Sequence, residues 1–223
     1  MKLKRISAAI LALTLLFAAS GCSKTEDDDA PPDSITIGGK TYSTTLTELA
    51  LDSNDLTGIE PLQYMTNLKK LELIYNQISD LSPLAELTNL TELNLTYNQV
   101  FDISPLAGLT NLTTLYLDNN QISNLSPLAG LANLTDLTIS HNPITDLPPL
   151  DGLTSLTRLY IGETQVADLS PLAGLTSLTL LSLNMNQISD ISPLAGLVNL
   201  TGLGLYGNQI SDISALSGLT ELT

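Results

Sequence analysis

The chain has 223 residues, with 8 Lys plus Arg against 23 Asp plus Glu and a formal charge of −15. That acidic balance argues against a nucleic-acid partner, whose phosphates call for a basic face to displace their counterions. One Cys excludes an intrachain disulfide framework and a cysteine zinc cluster, and one His with no Trp leaves little material for a histidine metal site or catalytic dyad, so neither an enzyme nor a cofactor is expected.

Residues 1–21 read as a targeting segment. Lys2, Lys4 and Arg5 precede an apolar run from Ile6 to Ala19, a basic flank and an apolar stretch too short to span a bilayer as a mature helix. The run ends in Ala19-Ser20-Gly21-Cys22. Small residues directly before a Cys resemble the lipobox of bacterial lipoproteins. The resemblance implies that Cys22 becomes the mature N-terminus and carries a thioether-linked diacylglycerol, whose two chains suffice for stable anchoring. An ordinary secretory signal with an incidental Cys is the alternative. Cleavage removes three basic residues and no acidic one, taking the charge from −15 to −18. So acidic a chain gains nothing from anionic lipid, and the membrane is a partner through the lipid anchor only. The expected location is secreted, anchored to the bacterial membrane and exposed at the cell surface.

Residues 22–34 are the lipidated Cys and an acidic tether. Ser23 to Ser34 reads SKTEDDDAPPDS, with four acids in a row and two prolines, a solvated and self-repelling spacer. Residues 35–45 contain ITIGGKTY, a predicted cap hairpin.

Residues 46–223 are a repeat domain. A unit of 22 residues begins at Leu46, Leu68, Leu90, Leu112, Leu134, Leu156, Leu178 and Leu200, and none of the eight is longer or shorter than the rest. Its pattern is L-x-x-L-x-L-x-x-N-x-I-x-D-L-S-P-L-A-G-L-T-N with small variations. The L-x-L alternation predicts a short strand with Leu facing in. Asn recurs at the ninth position, as Asn54, Asn76, Asn98, Asn120, Asn142, Asn186 and Asn208, and predicts an inward hydrogen-bonded ladder. Thr164 interrupts it, with local slack expected there because a hydroxyl has one donor where an amide has two. Ser-Pro pairs such as Ser82-Pro83 and Ser104-Pro105 read as a Ser cap followed by a first helical Pro, opening a single 3₁₀ turn. Gly108, Gly130, Gly152, Gly174 and Gly196 are then expected to turn the chain back. Leu at positions 1, 4, 6, 14, 17 and 20 fills an interior that only stacked repeats can bury. The predicted fold class is α/β: a leucine-rich-repeat solenoid, or horseshoe, with a parallel concave sheet and short 3₁₀ turns on the convex side.

The unit, as in NQISDISPLAGLVN from Asn186 to Asn199, resembles the leucine-rich repeat of the internalins, bacterial surface proteins of which several bind host receptors through the concave sheet. The resemblance implies the fold and a bacterial surface setting. Host-receptor binding is not carried over, because the chain departs from the family in its N-terminal cap, shows no C-terminal immunoglobulin-like flank and has a lipid signal in place of a wall-sorting tail.

The third, fifth, seventh and eighth positions should form the concave face. Tyr75, Tyr97, Tyr116, Tyr160 and Tyr206 fall there, with Ile74, His141, Arg158, Leu180 and Met185. Tyr and Arg are enriched where partners bind, so Tyr75, Tyr97, Tyr116, Tyr160, Arg158 and His141 are the predicted contact residues for a protein ligand. Tyr is also simply a good strand residue. A glycan stacking on the tyrosines is the second reading, and a non-catalytic spacer or scaffold in a larger multidomain protein the third. Repeats five and six are the least regular, with His141-Asn142-Pro143, Pro148-Pro149 and Gly162-Glu163-Thr164. His141 with scattered carboxylates is a weak metal or catalytic constellation. The column Asp80, Asp102, Asp146, Asp168, Asp190 and Asp212, with Asn124 in the gap, reads as turn bonding and solubility, a calcium ladder being the alternative. Asn-x-Thr triplets at Asn89, Asn111, Asn133 and Asn199 read as by-products of the repeat and not as glycosylation sites. The last turn, with Ala215 in place of Pro, lacks an evident cap, so the chain is expected to be a fragment of a longer protein or to pair its open end with another chain.

Overall fold

The computed structural model describes residues 31–148, 150 and 152–223. The targeting segment 1–21, the lipidation site Cys22 and most of the tether lie outside the described residues.

A hairpin opens the described chain. Strands β1 (Ser34–Ile37) and β2 (Lys40–Ser43) pair antiparallel, with Ile35 opposite Tyr42. Gly38 and Gly39 between them have φ of 56° and 74°, the doubly left-handed turn whose twist suits a two-residue hairpin. Ile35 and Ile37 point into the core and cover its first coil.

Eight parallel strands follow: β3 (Glu48–Ala50), β4 (Lys70–Glu72), β5 (Glu92–Asn94), β6 (Thr114–Tyr116), β7 (Asp136–Thr138), β8 (Arg158–Tyr160), β9 (Leu180–Ser182) and β10 (Gly202–Gly204). They lie in sequence order, each beside the next, in a single sheet. The register is one repeat per strand, with Leu71 beside Leu93, Leu93 beside Leu115 and so on to Leu203. Each strand is three residues long and presents one inward Leu between two outward side chains. The predicted leucine columns are buried from the second repeat to the seventh, while Leu46 and Ile213 at the ends are exposed and Leu203, Leu205 and Leu216 only half-buried; the position-11 column (Ile78, Val100, Ile122, Ile144, Val166, Ile188) is a seventh that the sequence reading omitted. At about 2 kcal/mol per fully buried Leu or Ile, the stack is held by apolar burial that no single coil could achieve.

The return side of the solenoid consists wholly of 3₁₀ turns: Glu60–Tyr64, Ser82–Leu84, Ser104–Gly108, Ser126–Gly130, Ser170–Leu172, Ser192–Gly196 and Ser214–Gly218. Among the described residues between β7 and β8 there is none. Two sequence expectations need correction here. Ser is not the cap. It is the first residue of the turn and Pro the second, and the capping side chain is the Asp two residues earlier. Asp102 Oδ1 accepts the Ser104 backbone N–H at 2.8 Å and Oδ2 accepts its hydroxyl at 2.9 Å. Asp80, Asp168 and Asp190 do the same, and Asn124 takes the Ser126 N–H at 3.0 Å. These bonds to the ionised form hold Asp102, Asp168 and Asp212 below the usual carboxylate range, the backbone N–H contributing most. Pro148 offers no N–H, and Asp146 accepts the Thr145 hydroxyl at 2.9 Å instead.

The second correction concerns the glycine column. None of Gly108, Gly130, Gly152, Gly174 and Gly196 has a positive φ, and a methyl group on Gly174 or Gly196 would meet nothing within 4 Å. The left-handed residues stand elsewhere, at position 8.

The ninth-position ladder is present from Asn76 onward. Asn120 donates to the carbonyls of Leu95 at 2.9 Å and Leu117 at 3.0 Å, and its oxygen takes the Val100 N–H at 2.9 Å. Each such carbonyl serves two amides, since Leu95 also accepts from Asn98 and Leu117 from Asn142. Asn54 does not join. With no coil before it, it is half-exposed and donates to Asp52 in its own turn. Two further ladders were not anticipated. Thr at position 2 donates its hydroxyl to the backbone carbonyl one repeat back, as Thr113 to Thr91 and Thr135 to Thr113, both at 3.1 Å. The Asn of N-L-T donates to a Thr carbonyl on the coil before, as Asn89 to Thr66 and Asn111 to Thr88 at 2.8 Å. The triplets are therefore structural, with the Asn amide engaged in the stack.

Candidate interaction face

Positions 3 and 5 of each repeat are the outward strand residues, and positions 7 and 8 continue the face into the turn that leaves the strand. Position 8 has a common backbone state. Ser53, Tyr75, Tyr97, Asn119, His141, Glu163 and Met185 have φ between 53° and 57°, and Gly207 has 73°. A left-handed conformation costs an ordinary side chain about 1 kcal/mol or more. It is held in place by the stack, because each position-8 N–H donates to the position-7 carbonyl of the next coil: Tyr75 to Thr96 at 3.1 Å, Tyr97 to Asp118 at 3.0 Å, His141 to Gly162 at 3.0 Å. Only Asn119 and Gly207 hinted at this turn in the sequence, since left-handed positions are usually read from Gly or Asn and the other six residues are neither.

The turn sets Tyr75 and Tyr97 side by side. Their rings stack nearly parallel, with centroids 4.3 Å apart and 12° between planes, slightly closer than the usual separation of aromatic pairs. They remain 57% and 43% exposed, so the pair is an aromatic surface open to water, with the two facing ring sides covered by one another. Partial desolvation, and then the neighbouring Tyr97, raise the Tyr75 phenol above its ordinary value.

A second group stands on the strands. Tyr116 and Tyr160 share position 5 with Thr138 between them in the register. Arg158, beside Asp136 in the register, makes an ion pair with that nearly buried carboxylate. Asp136 raises the Arg158 pKa. Tyr116 is half-buried, and desolvation, followed by the charge of Asp136, raises its phenol. His141 faces Glu163 across the coil gap, Nδ1 to Oε2 at 3.2 Å. Asp118, another carboxylate of the same face, is engaged with the Ser140 N–H at 2.8 Å and the Thr138 hydroxyl. The predicted contact residues thus fall into three neighbouring groups on one face, namely Tyr75 with Tyr97, then Tyr116 with Arg158 and Tyr160, then His141.

Sequence reasoning passed over Lys70. It lies between two carboxylates, 3.1 Å from Glu72 and 3.2 Å from Glu92, and both raise its pKa. With Asn94, Thr114 and Tyr116 these residues line a hollow of about 100 Å³ on the sheet. Lys70, Glu72 and Glu92 are outward position-3 and position-5 residues, so reading those columns for charge as well as for tyrosine would have found them. Beyond β8 the face changes. Positions 3 and 5 become Leu180, Ser182, Gly202 and Gly204, and the side chains of Leu180 and Asn184 lie over the two glycines. Tyr206 stands alone there, 78% exposed.

Three comparisons bear on what such a face belongs to. The family described as leucine-rich repeats in two copies matches residues 88–130, 132–174 and 176–218, and a second leucine-rich-repeat family matches residues 44–100. Among solved structures, the chain is similar to internalin C2 of Listeria monocytogenes, with 46% identity over 82% of this chain and 83% of that one and a TM-score of 0.79. Internalin F of the same organism shares 33% identity over 82% of this chain and 68% of that one, with a TM-score of 0.58. The ectodomain of the Arabidopsis thaliana receptor kinase GASSHO1/SCHENGEN3, solved in complex with Casparian strip integrity factor 2, shares 26% identity over 78% of this chain and 23% of that one, with a TM-score of 0.69. A search of curated proteins gave no match.

Proposed function

This chain belongs to the leucine-rich repeat family in its internalin-like form, and from that premise we propose that it is a bacterial surface module whose outer sheet face binds a protein partner. Internalin-type repeats are interaction scaffolds, and the fold leaves the outward positions of eight strands free to vary while the inward positions stay fixed. The observation that carries the reading is the Tyr75–Tyr97 stack. Two aromatic rings stand exposed, in a backbone state that Gly would adopt more cheaply, on the same face as Tyr116, Arg158 and Tyr160. Nothing in the core needs them there. Large aromatic side chains with polar tips supply contact area at small entropic cost, which is why they anchor binding sites. The plant receptor ectodomain, solved in complex with Casparian strip integrity factor 2, supports the same use of the fold.

The module is held at the membrane by a diacylglycerol on Cys22, with the acidic tether as spacer. Cys22→Ala is expected to move the protein from the membrane fraction to the medium; retention in the membrane would refute the anchor.

The binding face is tested by pull-down of surface extracts with the full chain and with a variant carrying Tyr75→Ser, Tyr97→Ser, Tyr116→Ser and Tyr160→Ser, the two matched by circular dichroism. A protein captured by the parent and lost by the variant is the expected result. Equal capture by both places the site elsewhere. A captured ligand destroyed by glycosidase but not by protease makes the face a glycan platform, with sugar rings on the tyrosine stack.

A further inference from the structure

Read as a docking surface, the outer face also specifies the charge of what docks, and we infer that its partner presents a basic, extended segment, with Lys or Arg side chains meeting both the Tyr75–Tyr97 stack and, on the strands of the same face, the carboxylates of Glu72 and Glu92. This inference rests on the docking reading and adds its chemistry.

Positions 3, 5, 7 and 8 of the eight repeats carry seven carboxylates against two cations. Both cations are already held by carboxylates of the same face, Lys70 by Glu72 and Glu92 and Arg158 by Asp136. His141 is held by Glu163. An acidic ligand would therefore meet repulsion without a free cation to answer it among the described residues of the face, whereas a cationic one meets a net negative field. All seven carboxylates fall in repeats one to six, and the outward positions of repeats seven and eight, from Leu180 to Gly207, carry no charge. The field is thus centred on the stretch that holds the tyrosine stack and does not simply reflect an acidic protein.

The two features have the same preference. The face of a phenol ring is the negative side of its quadrupole and attracts Lys or Arg, more strongly as water is displaced. Lys70 shows how a cation is received by the strand carboxylates of this face, with its ammonium within 3.2 Å of two of them. Six coils at strand spacing make a track of about 25 Å, the length of roughly eight extended residues. Lys70 itself offsets part of the field, so removing its charge should strengthen binding.

The probe is a synthetic eight-residue peptide of alternating Arg and Ser, with a Glu-for-Arg peptide as its opposite, titrated into the full chain at low and physiological salt. The basic peptide is expected to bind, and to bind more weakly as salt rises. Glu72→Gln with Glu92→Gln should weaken it about tenfold, and Tyr75→Ser with Tyr97→Ser by a similar factor. Lys70→Met should tighten it. Glu86→Gln with Glu221→Gln, an equal change of charge away from the outward columns, should leave it unaltered. Equal weakening by both glutamate pairs, preference for the acidic peptide, or no binding of the basic one overturns the inference. A protein captured through the tyrosines whose binding ignores salt and the Glu72 and Glu92 changes leaves the docking reading standing and removes this one alone.

Discussion

Repeat four and repeat six form the same coil with different wiring. At Asn120 one amide reaches two carbonyls and one N–H, and both carbonyls take a second amide from a neighbouring repeat. At Thr164 the hydroxyl instead donates to Asn186 Oδ1. Ile139 and Ile161 are left with one amide each, from Asn142 and Asn186. The Ile144 N–H, which an Asn at 164 would have bonded, folds back to the Asn142 carbonyl at 2.8 Å. Yet Leu137, Leu159 and Leu181 stay in register and buried. Apolar columns therefore set where a coil sits, and the polar ladder sets how many ways its backbone is secured once it is there.

The largest effect should come from breaking the ladder where it is complete. Asn120→Ala leaves the Val100 N–H buried without a partner and halves the bonding at two carbonyls, a cost of about 2–3 kcal/mol in chemical denaturation. Thr164→Ala, which removes a single hydroxyl bond, should cost about 1 kcal/mol, and equal losses at the two sites would show that the ladders are energetically alike. The comparison sharpens in reverse with Thr164→Asn. It supplies the donor and acceptor that Ile139 and Ile144 lack, and a gain of about 1 kcal/mol is expected, with no gain meaning that repeat six has relaxed around its Thr. Smaller still, Pro148→Ser gives Asp146 the backbone N–H that its counterparts hold and should add about 0.5 kcal/mol.

Acid should distinguish the turns as well. Asp102, Asp168 and Asp212 have pKa values lowered in the folded state, so unfolding takes up protons as pH falls through the ordinary carboxylate range. Their contribution is full above the unfolded value and is lost as pH drops through the folded one. Asp102→Asn, which copies the natural Asn124 turn, should lower neutral-pH stability by the contribution that the ionised carboxylate makes and leave low-pH stability nearly unchanged, so that the acid limb of the stability curve becomes less steep. An acid limb of unchanged steepness would show that these turns do not drive the loss.

Which parts of this were legible follows from what each signal depends on. The strand register, the leucine columns and the Asn ladder depend on residue type at a fixed period, and repetition makes that visible. The Thr and second Asn ladders are just as periodic, but Thr91 and Asn89 reach backbone on another coil, and that contact exists only once the coils are stacked. The Asp–Ser turns were misread because Ser before Pro is a familiar cap, while the actual acceptor sits two residues earlier. The left-handed column was invisible for a different reason. Tyr, His, Glu and Met do not advertise such a backbone, and the bond that enforces it comes from the next repeat. On the outer face, tyrosine was legible as a column, while the Lys70 clamp needed two adjacent strands to be read together.

The ladders also have a direction. Thr113 satisfies Thr91, Asn111 satisfies Thr88, and Asn120 satisfies Leu95 and Val100: in these three ladders the side chain belongs to the later coil and the backbone group to the earlier one, whereas Asp52 and Asp118 run the other way and accept N–H groups of the next coil. A chain leaving the ribosome N-terminus first thus exposes each new coil with open backbone groups, and the following 22 residues bring the side chains that close them. Synthesis and assembly run the same way along the molecule, and at any moment the unfinished part is the most recent coil alone.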